Sequence, residues 1–360
     1  MNLKSSTAVS GVELRGLPYV GPAQSGVSKS SACAAELGGI WPKSLPGIWP
    51  VCVSRPLRRP PIVPLRAPTV LRTPTRSMAL TVLLGGLAVA TPNITLNNNV
   101  QMPILAFAAN VWDAPTCMNA TGEALKSGFS FIWSSFLVGA DCQRAQRQAL
   151  DAYTHDRASV FVAGTVDTQN CQGHSACYAA TISGAQDQFS YLGPEPLDML
   201  MLDYPSMGGC DSILGQWAAL TSLYQKKQVR SIGVSNFEPT ELGCLFPTNG
   251  APVSVPPTVN QLRFYVTSAP GADVLALNAK HNINVQAYSP LGSGSVLQNP
   301  TVVQIAVAHG KSAAQVALRY IVQKNGTVAT QSTKATHLRE DVAIFGWTLT
   351  DAEMASLDKA

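Results

Sequence analysis

Short apolar runs alternate with amphipathic stretches along the chain from residue 93 onward. In the amphipathic stretches, such as Ser212–Gln225 and Ser312–Gln323, apolar residues recur at helical spacing. The apolar runs are predicted to be strands: Ile104–Phe107, Phe129–Ile132, Ser159–Ala163, Leu197–Leu202, Val229–Val234, Thr258–Gln261, Ile283–Ala287 and Thr327–Ala329. Eight strands that alternate with helices predict an α/β fold, a parallel (β/α)8 TIM barrel with its helices outside.

An open, doubly wound sheet is the competing arrangement of alternating strands and helices. It would place a glycine-rich turn directly after the first strand, but Ala106–Ala109 contains no glycine. The barrel is therefore the predicted fold. Ahead of it, Asn93–Leu96 and Val100–Pro103 flank an asparagine-rich turn, which predicts an amino-terminal β-hairpin cap.

Charge is divided unevenly between the two parts of the chain. Residues 1–90 carry ten Lys/Arg and two Asp/Glu, whereas the rest carries fifteen Lys/Arg and nineteen Asp/Glu. The total of +4 therefore conceals a mildly acidic body with a net charge of −4. Such a body lacks the basic surface that nucleic acid requires, so no nucleic-acid partner is expected.

The first 77 residues are predicted to be a disordered leader of the transit-peptide type. Residues 1–90 hold eleven of the 25 prolines, are rich in serine and arginine, and are poor in acids. The alternative is that this stretch is upstream sequence that is never translated, with Met78 as the true start.

Residues 78–90 form an apolar run that follows Arg72 and Arg76 and ends in Ala88-Val-Ala90. This pattern is typical of a signal peptide, and the run is too short to span a bilayer. A strand of the domain is the alternative. We expect the leader to pack against nothing, the mature chain to begin near Thr91 without a membrane span, and residues 91–360 to form the barrel.

The leader and the cysteines bear on localisation. A transit peptide with a signal suits an organelle lumen of the plastid type, a signal alone suits secretion, and a leader without function leaves the protein cytoplasmic.

Cys171 and Cys177 are the only close pair among the six cysteines of the body, and a disulfide or two free thiols fit them equally. Metal-ligand spacing is absent. Sequons at Asn93, Asn119 and Asn325 matter only if the chain enters the secretory route.

Several stretches of the second half resemble the aldo-keto reductases in order and spacing. They are Leu197–Pro205, Val229–Phe237, Val259–Gln261, Ala287–Ser293, His309–Arg319 and Leu349–Met354. Weaker matches at Val100–Pro103, Gly128–Ile132 and Val160–Val162 extend the resemblance over residues 93–360. It implies an NADP(H)-dependent oxidoreductase barrel that acts on small carbonyl compounds.

The resemblance also implies a nicotinamide-nucleotide site across the carboxyl ends of the strands, and its residues are present here. Ser235, Asn236 and Gln261 match residues that hold the carboxamide, Tyr288 matches the residue that stacks on the ring, and Ser289, Leu291 and Ser293 match residues that border the pyrophosphate.

At the adenosine end, Ser332, His337 and Asp341 align with nucleotide-binding positions of the family. At two positions of this region the residue type differs from the family pattern. Gln331 replaces the lysine that meets the 2′-phosphate, and Asp341 replaces an asparagine. Because the site loses a cation and gains an acidic residue, we expect weak binding of NADP or NAD without a strong preference.

The four catalytic positions of the family are all substituted. Trp133 replaces the aspartate, Val138 the tyrosine that donates the proton, Thr165 the lysine that lowers its pKa, and Asp203 the histidine. Among neighbouring groups, strand alternation predicts that Tyr204 points away from the site. Asp203 would act as an acid only if burial raised its pKa. His155 and His174 are predicted to be surface residues.

These substitutions lead to two functional hypotheses. The first is a nicotinamide-nucleotide-binding barrel without carbonyl reductase activity, a pseudoenzyme. The alternative is an active reductase of aldehydes or ketones that works through a rewired site containing Asp203. We expect the loops after the first four strands, including Asn110–Met118 and Thr165–Cys177, to determine which molecules bind.

Overall fold

The computed structural model describes residues 91–153, 157–193 and 196–360. The predictions for the 1–77 leader and the 78–90 signal-like run, together with that for His155, lie outside these residues. His174 is exposed at the start of a helix, which agrees with its predicted surface position.

Eight parallel strands close into a barrel, which confirms the predicted fold and excludes the open sheet. The barrel strands are β3 (Leu105–Ala108), β4 (Phe131–Ser134), β5 (Phe161–Val166), β6 (Met199–Leu202), β7 (Ile232–Ser235), β8 (Val259–Arg263), β9 (Asn284–Tyr288) and β10 (Thr327–Thr330). They pair in chain order, and β10 closes the barrel against β3. A separate antiparallel hairpin, β1 (Asn93–Thr95) and β2 (Gln101–Pro103), precedes them.

Helices follow the strands and cover the outside of the barrel. They are α1 (Ala114–Ser127), α2 (Ala140–Ala152), α3 (His174–Leu192), α4 (Gly209–Gln225), α5 (Pro239–Leu245), α6 (Ala272–Lys280), α7 (Pro300–His309), α8 (Ala313–Gln323), α9 (Ala335–Val342) and α10 (Asp351–Leu357). Capping residues in the sequence fix the first residue of several helices. The side chain of Asp113 caps α1, and Ser312 forms a capping box with Gln315 at α8. Within the described ranges, no helix is long and apolar enough to cross a bilayer.

Most strands lie one to three residues later in the chain than their apolar runs suggested. At β4 and β5 both ends lie two or three residues later, and Phe131 pairs with Phe161 and Ser134 with Gly164. The polar residues Ser134 and Thr165 are therefore part of strands. An apolar run marks the buried part of a strand, whereas pairing with the neighbouring strands determines where it ends.

The core has two layers, one inside the barrel and one between the strands and the helices. Inside the barrel, Phe131 packs edge-on against Phe161 with their ring centroids 4.6 Å apart. The hairpin closes the amino-terminal end of the barrel, because Leu96 and Met102 belong to this inner cluster. In the hairpin turn, Asn97 Nδ2 donates to the Pro257 carbonyl at 2.8 Å. The hairpin does not cover the opposite end of the barrel, where the strands end.

Three disulfides join the six cysteines in the described part of the chain. The pairs are Cys117–Cys142, Cys171–Cys177 and Cys210–Cys244, with Cα atoms 5.4, 5.0 and 5.1 Å apart. The disulfide between the close pair is therefore present, and the alternative of free thiols is wrong. Cys117, Cys142, Cys177 and Cys210 lie in the first turns of α1 to α4, whereas Cys171 precedes α3 and Cys244 lies near the end of α5. Each disulfide therefore has at least one partner near the face that carries the carboxyl ends of the strands.

Candidate functional site

A cavity of about 640 Å³ opens at the carboxyl ends of the barrel strands. This is the end at which parallel barrels carry their active sites, since eight strand-to-helix loops converge there. All seven residues predicted to hold the nicotinamide and the pyrophosphate line the cavity: Ser235, Asn236, Gln261, Tyr288, Ser289, Leu291 and Ser293. The barrel thus brings together residues that are spread over about sixty positions of the sequence.

Asn236 is the centre of the polar cradle in this cavity. Its backbone has a φ of 61°, a left-handed conformation that asparagine tolerates better than most residues. Its backbone N–H donates to the Gln261 carbonyl at 2.9 Å, and its Nδ2 donates to the Asp203 carbonyl at 2.9 Å. The Tyr288 hydroxyl donates to Asn236 Oδ1 at 3.0 Å. The positions of the amide and of the aromatic ring are therefore fixed before any ligand binds.

Ser235 and Gln261 are buried beside this amide. The Ser235 hydroxyl donates to the Gln261 carbonyl at 3.0 Å, and Gln261 Nε2 donates to Gln286 Oε1 at 2.7 Å. These bonds hold both side chains on adjacent strands, β7 and β8. A polar group of a ligand entering the cavity would meet side chains that are already oriented.

The turn that follows β9 forms the second part of the cradle. Ser289, Gly292, Ser293 and Gly294 all have a positive φ, between 50° and 93°. The N–H groups of Gly292 and Gly294 donate to the Ser289 and Leu291 carbonyls, both at 2.9 Å. These bonds hold the turn in place beside the cavity, and its contact with a pyrophosphate stays a prediction.

The three residues predicted at the adenosine end do not line this cavity. Ser332 Oγ lies 3.4 Å from His337 Nδ1 in an exposed loop. Asp341 is buried, and its Oδ2 accepts a hydrogen bond from the Thr330 hydroxyl at 3.1 Å. Burial raises the pKa of Asp341 to about 7, so its carboxyl is partly neutral at physiological pH. Asp341 therefore adds less negative charge to the predicted phosphate region than an ionised aspartate would. Gln331, unlike the three residues above, lines the cavity.

The four residues predicted to replace the family's catalytic groups lie together in and behind the cavity wall. Trp133, Val138 and Asp203 line it, while Thr165 is buried behind Asp203. Asp203 Oδ2 accepts hydrogen bonds from the Thr165 hydroxyl at 3.2 Å and from the Ser135 hydroxyl at 3.3 Å. Three of the four predicted positions therefore share one cavity wall, and the fourth is joined to it through Asp203.

Ser135 is a site residue that the sequence reasoning missed. It lines the cavity directly after β4, and its hydroxyl also accepts from the Leu137 N–H at 3.0 Å. The available signal was its position, since polar residues directly after barrel strands commonly face the site. The apolar run predicts a strand that ends at Ile132, two residues before the end of β4, so Ser135 could not be recognised as the residue that follows the strand.

Asp203 has an unusual acidity in this position. Burial raises its pKa to about 6, although the hydrogen bonds from Ser135 and Thr165 oppose the rise. Burial and the neighbouring Asp203 carboxylate also raise the pKa of the Tyr204 and Tyr288 hydroxyls. The cavity thus contains one acid that titrates near neutrality and two tyrosines that are weaker acids than usual.

The prediction that Tyr204 points away from the site is wrong. Tyr204 lines the cavity next to Asp203. Strand alternation does not apply to these residues, because β6 ends at Leu202 and the chain bends at Asp203 and Tyr204. Two consecutive side chains can then face the same cavity.

Among the described residues that line the cavity, none is a lysine, an arginine or a histidine. This absence matters because a nearby cation is the usual means of lowering a tyrosine's pKa. Trp133 occupies part of the space instead, and its indole nitrogen is buried with no hydrogen-bond partner among the described residues. The base of the cavity is therefore more apolar and more acidic than a tyrosine–lysine pair would make it.

The aldo/keto reductase family model matches residues 142–360. This chain belongs to that family. A 9,11-endoperoxide prostaglandin H2 reductase of Trypanosoma cruzi is 31% identical over 272 residues, covering 74% of this chain and 90% of that protein. An aldo-keto reductase of Mycolicibacterium smegmatis is 29% identical over 273 residues, covering 76% and 92% of the two chains.

Solved structures of the family have the same fold as this chain. An aldo/keto reductase from Brucella melitensis aligns with a TM-score of 0.68 at 26% identity, over 75% of this chain and 98% of that one. Aldo-keto reductase MGS-M4, from a deep-sea metagenome, aligns with a TM-score of 0.66 at 26% identity. Aldo-keto reductases are oxidoreductases that bind nicotinamide nucleotides and carbonyl substrates, which agrees with the cradle around Asn236 and Tyr288.

Proposed function

We propose that this aldo-keto reductase family member binds a nicotinamide nucleotide but does not reduce carbonyl compounds by the route of its family. One observation carries the proposal. The cavity retains the nucleotide cradle, but no cationic side chain among the described residues lines it.

Nucleotide binding is supported by the organisation of the cradle. Asn236, Gln261 and Tyr288 are held by hydrogen bonds of 2.7 to 3.0 Å within the protein. A preorganised site loses little side-chain entropy on binding, which favours affinity. With Gln331 in place of a cation and Asp341 partly neutral, the adenosine end offers little to distinguish NADP from NAD.

The lack of the family's reaction follows from proton transfer. When bound, the nucleotide supplies a hydride, but the carbonyl oxygen also requires a proton from a donor whose pKa is near the working pH. Tyr204 and Tyr288 are unsuitable donors, because their pKa values are raised and the family's lysine position holds Thr165. A tyrosine beside the carboxylate of Asp203 is held in its neutral form, since a second negative charge there is unfavourable.

A second candidate function is an active reductase in which Asp203 is the acid. The observation that favours it is the pKa of about 6 at a carboxyl group that lines the cavity. A protonated Asp203 would transfer its proton to the substrate oxygen and would regain one from solvent. The hydroxyls of Ser135 and Thr165 would stabilise the carboxylate formed in that step.

Two measurements on the same protein separate these functions. Fluorescence titration with NADH and NADPH should show binding, while oxidation of either nucleotide with a panel of aldehydes, ketones and quinones should show no turnover above background. Asp203→Asn is the matched variant, because it keeps the shape of the side chain and removes the acid.

Turnover that Asp203→Asn abolishes, with nucleotide binding unchanged, would overturn the first function and establish the second. The absence of binding at millimolar nucleotide would overturn both, and the cradle would then serve only in packing.

A further inference from the structure

Asn119 and Asn325 are the first residues of two Asn-x-Thr sequons, Asn119-Ala-Thr and Asn325-Gly-Thr. Both asparagines are exposed. Asn119 lies on the outer surface of α1, whose buried face includes Cys117 and Ala120. Asn325 lies in the turn between α8 and β10 with a φ of 61°. Both positions leave room for a large group on the side-chain nitrogen.

The amides of these two side chains play no part in holding the fold. Neither makes a hydrogen bond within the described residues, whereas Asn236, Asn260 and Asn278 each donate to a backbone carbonyl. A substituent on the nitrogen of Asn119 or Asn325 would therefore break no contact. The turn at Asn325 precedes β10 and so lies at the amino-terminal end of the barrel, opposite the cavity.

The disulfides provide an independent observation about where the chain matures. All six cysteines in the described ranges are paired. Reducing compartments keep thiols free, whereas the lumen of the endoplasmic reticulum and the extracellular space allow disulfides to persist. The compartment in which these disulfides can form is also the one in which sequons become glycosylated.

We propose that the chain passes through the endoplasmic reticulum and carries N-linked glycans on Asn119 and Asn325. The donor is an oligosaccharide linked to a lipid through a diphosphate. A bond forms between Nδ2 of the asparagine and the anomeric carbon of the sugar, while the bond from that carbon to the diphosphate oxygen breaks. The asparagine nitrogen loses one proton, and the lipid diphosphate leaves.

Burial of the two sequon threonines determines when this transfer takes place. Thr121 and Thr327 are both buried, and their hydroxyls donate to the Cys117 carbonyl and to Asn284 Oδ1, each at 2.7 Å. In the folded barrel these hydroxyls are not accessible to an enzyme. Transfer therefore takes place before the barrel folds, and the glycans remain outside afterwards.

The test is expression of the full chain with its own leader in a eukaryotic secretory host. A glycan-releasing amidase is used in water enriched in oxygen-18. The reaction converts each glycosylated asparagine into an aspartate that carries the heavy isotope, and mass spectrometry locates that residue. We expect the label at both asparagines, and loss of one discrete mobility step from each of Asn119→Gln and Asn325→Gln. Peptide-level thiol labelling should leave the six cysteines unmodified.

Asn249 provides matched controls, because it is exposed and is followed by Gly250 and Ala251. Asn249→Gln should change nothing, whereas Ala251→Thr combined with Pro252→Val creates the Asn-Gly-Thr-Val sequence that surrounds Asn325 and should add a labelled site. Label at Asn249 in that variant without label at Asn119 and Asn325 would overturn the proposal. Recovery of the chain without any label and with the six cysteines of the three disulfides as free thiols would overturn it as well. Neither result depends on nucleotide binding or on catalysis.

Discussion

The Thr165 hydroxyl donates a hydrogen bond to Asp203 Oδ2 at 3.2 Å, although the two residues are 38 positions apart in the chain. The resemblance to the family predicts that these two positions correspond to a lysine and a histidine that act on the same carbonyl. Here the same two positions are still neighbours, on β5 and directly after β6. The barrel therefore brings a carboxyl group and a hydroxyl group that are distant in the chain into direct contact at the cavity.

The first prediction concerns Asp203 and the pH dependence of stability. Its pKa rises from 3.8 in the unfolded chain to about 6 in the folded protein. Between these values the folded state binds more protons, so the free energy of unfolding falls as the pH rises from about 4 to about 6. Asp203→Asn should therefore stabilise the protein above pH 6, by at most about 3 kcal/mol, and should have little effect near pH 4. Urea unfolding across this range measures the difference.

Thr165→Val is the companion variant for this test. It removes a donor that lowers the pKa of Asp203, so the fall in stability should extend to higher pH. An Asp203→Asn variant that is destabilised equally at pH 4 and pH 8 would contradict the raised pKa of Asp203. The loss of stability would then come from a contact that does not depend on the protonation of this residue.

The second prediction concerns the aromatic ring in the cradle. Tyr288→Ala removes the stacking surface and should weaken NADH and NADPH binding about tenfold or more. Tyr288→Phe keeps the ring and loses only the hydrogen bond to Asn236, so the loss should be smaller, about 1 kcal/mol. Isothermal titration measures both affinities.

Tyr320→Phe is the control, because Tyr320 donates to Asp358 at 2.7 Å and does not line the cavity. It should leave affinity unchanged. Equal affinities for the wild-type protein and Tyr288→Ala would show that the ring does not contact the nucleotide.

The third prediction concerns nucleotide preference. Gln331 lines the cavity where the family has a lysine, so Gln331→Lys should restore a charge-assisted contact to a 2′-phosphate. We expect NADPH affinity to rise about tenfold relative to NADH, most strongly at low ionic strength. Gln172→Lys adds the same charge on an exposed loop after β5 and should not change the preference. A strong NADPH preference in the unmodified chain would show that another residue already performs this role.

The fourth prediction ranks the three disulfides by their contribution to stability. The numbers of residues between partners differ, with sequence separations of 34, 25 and 6 for Cys210–Cys244, Cys117–Cys142 and Cys171–Cys177. The entropy that a disulfide removes from the unfolded chain grows with loop length. Paired Cys→Ser variants should therefore lose about 4, 3.5 and 2 kcal/mol in that order. Denaturant unfolding without reductant measures these losses, and the reverse order would show that native-state contacts dominate.

The sequence alone predicted the barrel, its eight strands, the hairpin and the cradle residues. Apolar periodicity is a local property, and the strand-to-helix alternation repeats often enough to identify a closed parallel sheet. The cradle could be predicted because its residues stand in short stretches around Asn236, Gln261 and Tyr288, where the order of residues is characteristic of the family.

Tertiary structure decided the acidity of the site and the orientation of its side chains. The pKa of Asp203 depends on burial and on the hydroxyls of Ser135, directly after β4, and of Thr165, on β5. Tyr204 faces the cavity because β6 ends one residue before Asp203, an end that pairing with β5 and β7 determines. The pairing of six cysteines likewise depends on which helices lie side by side. A sequence pattern records local preferences, whereas burial, charge and contacts between distant residues arise only when the chain is folded.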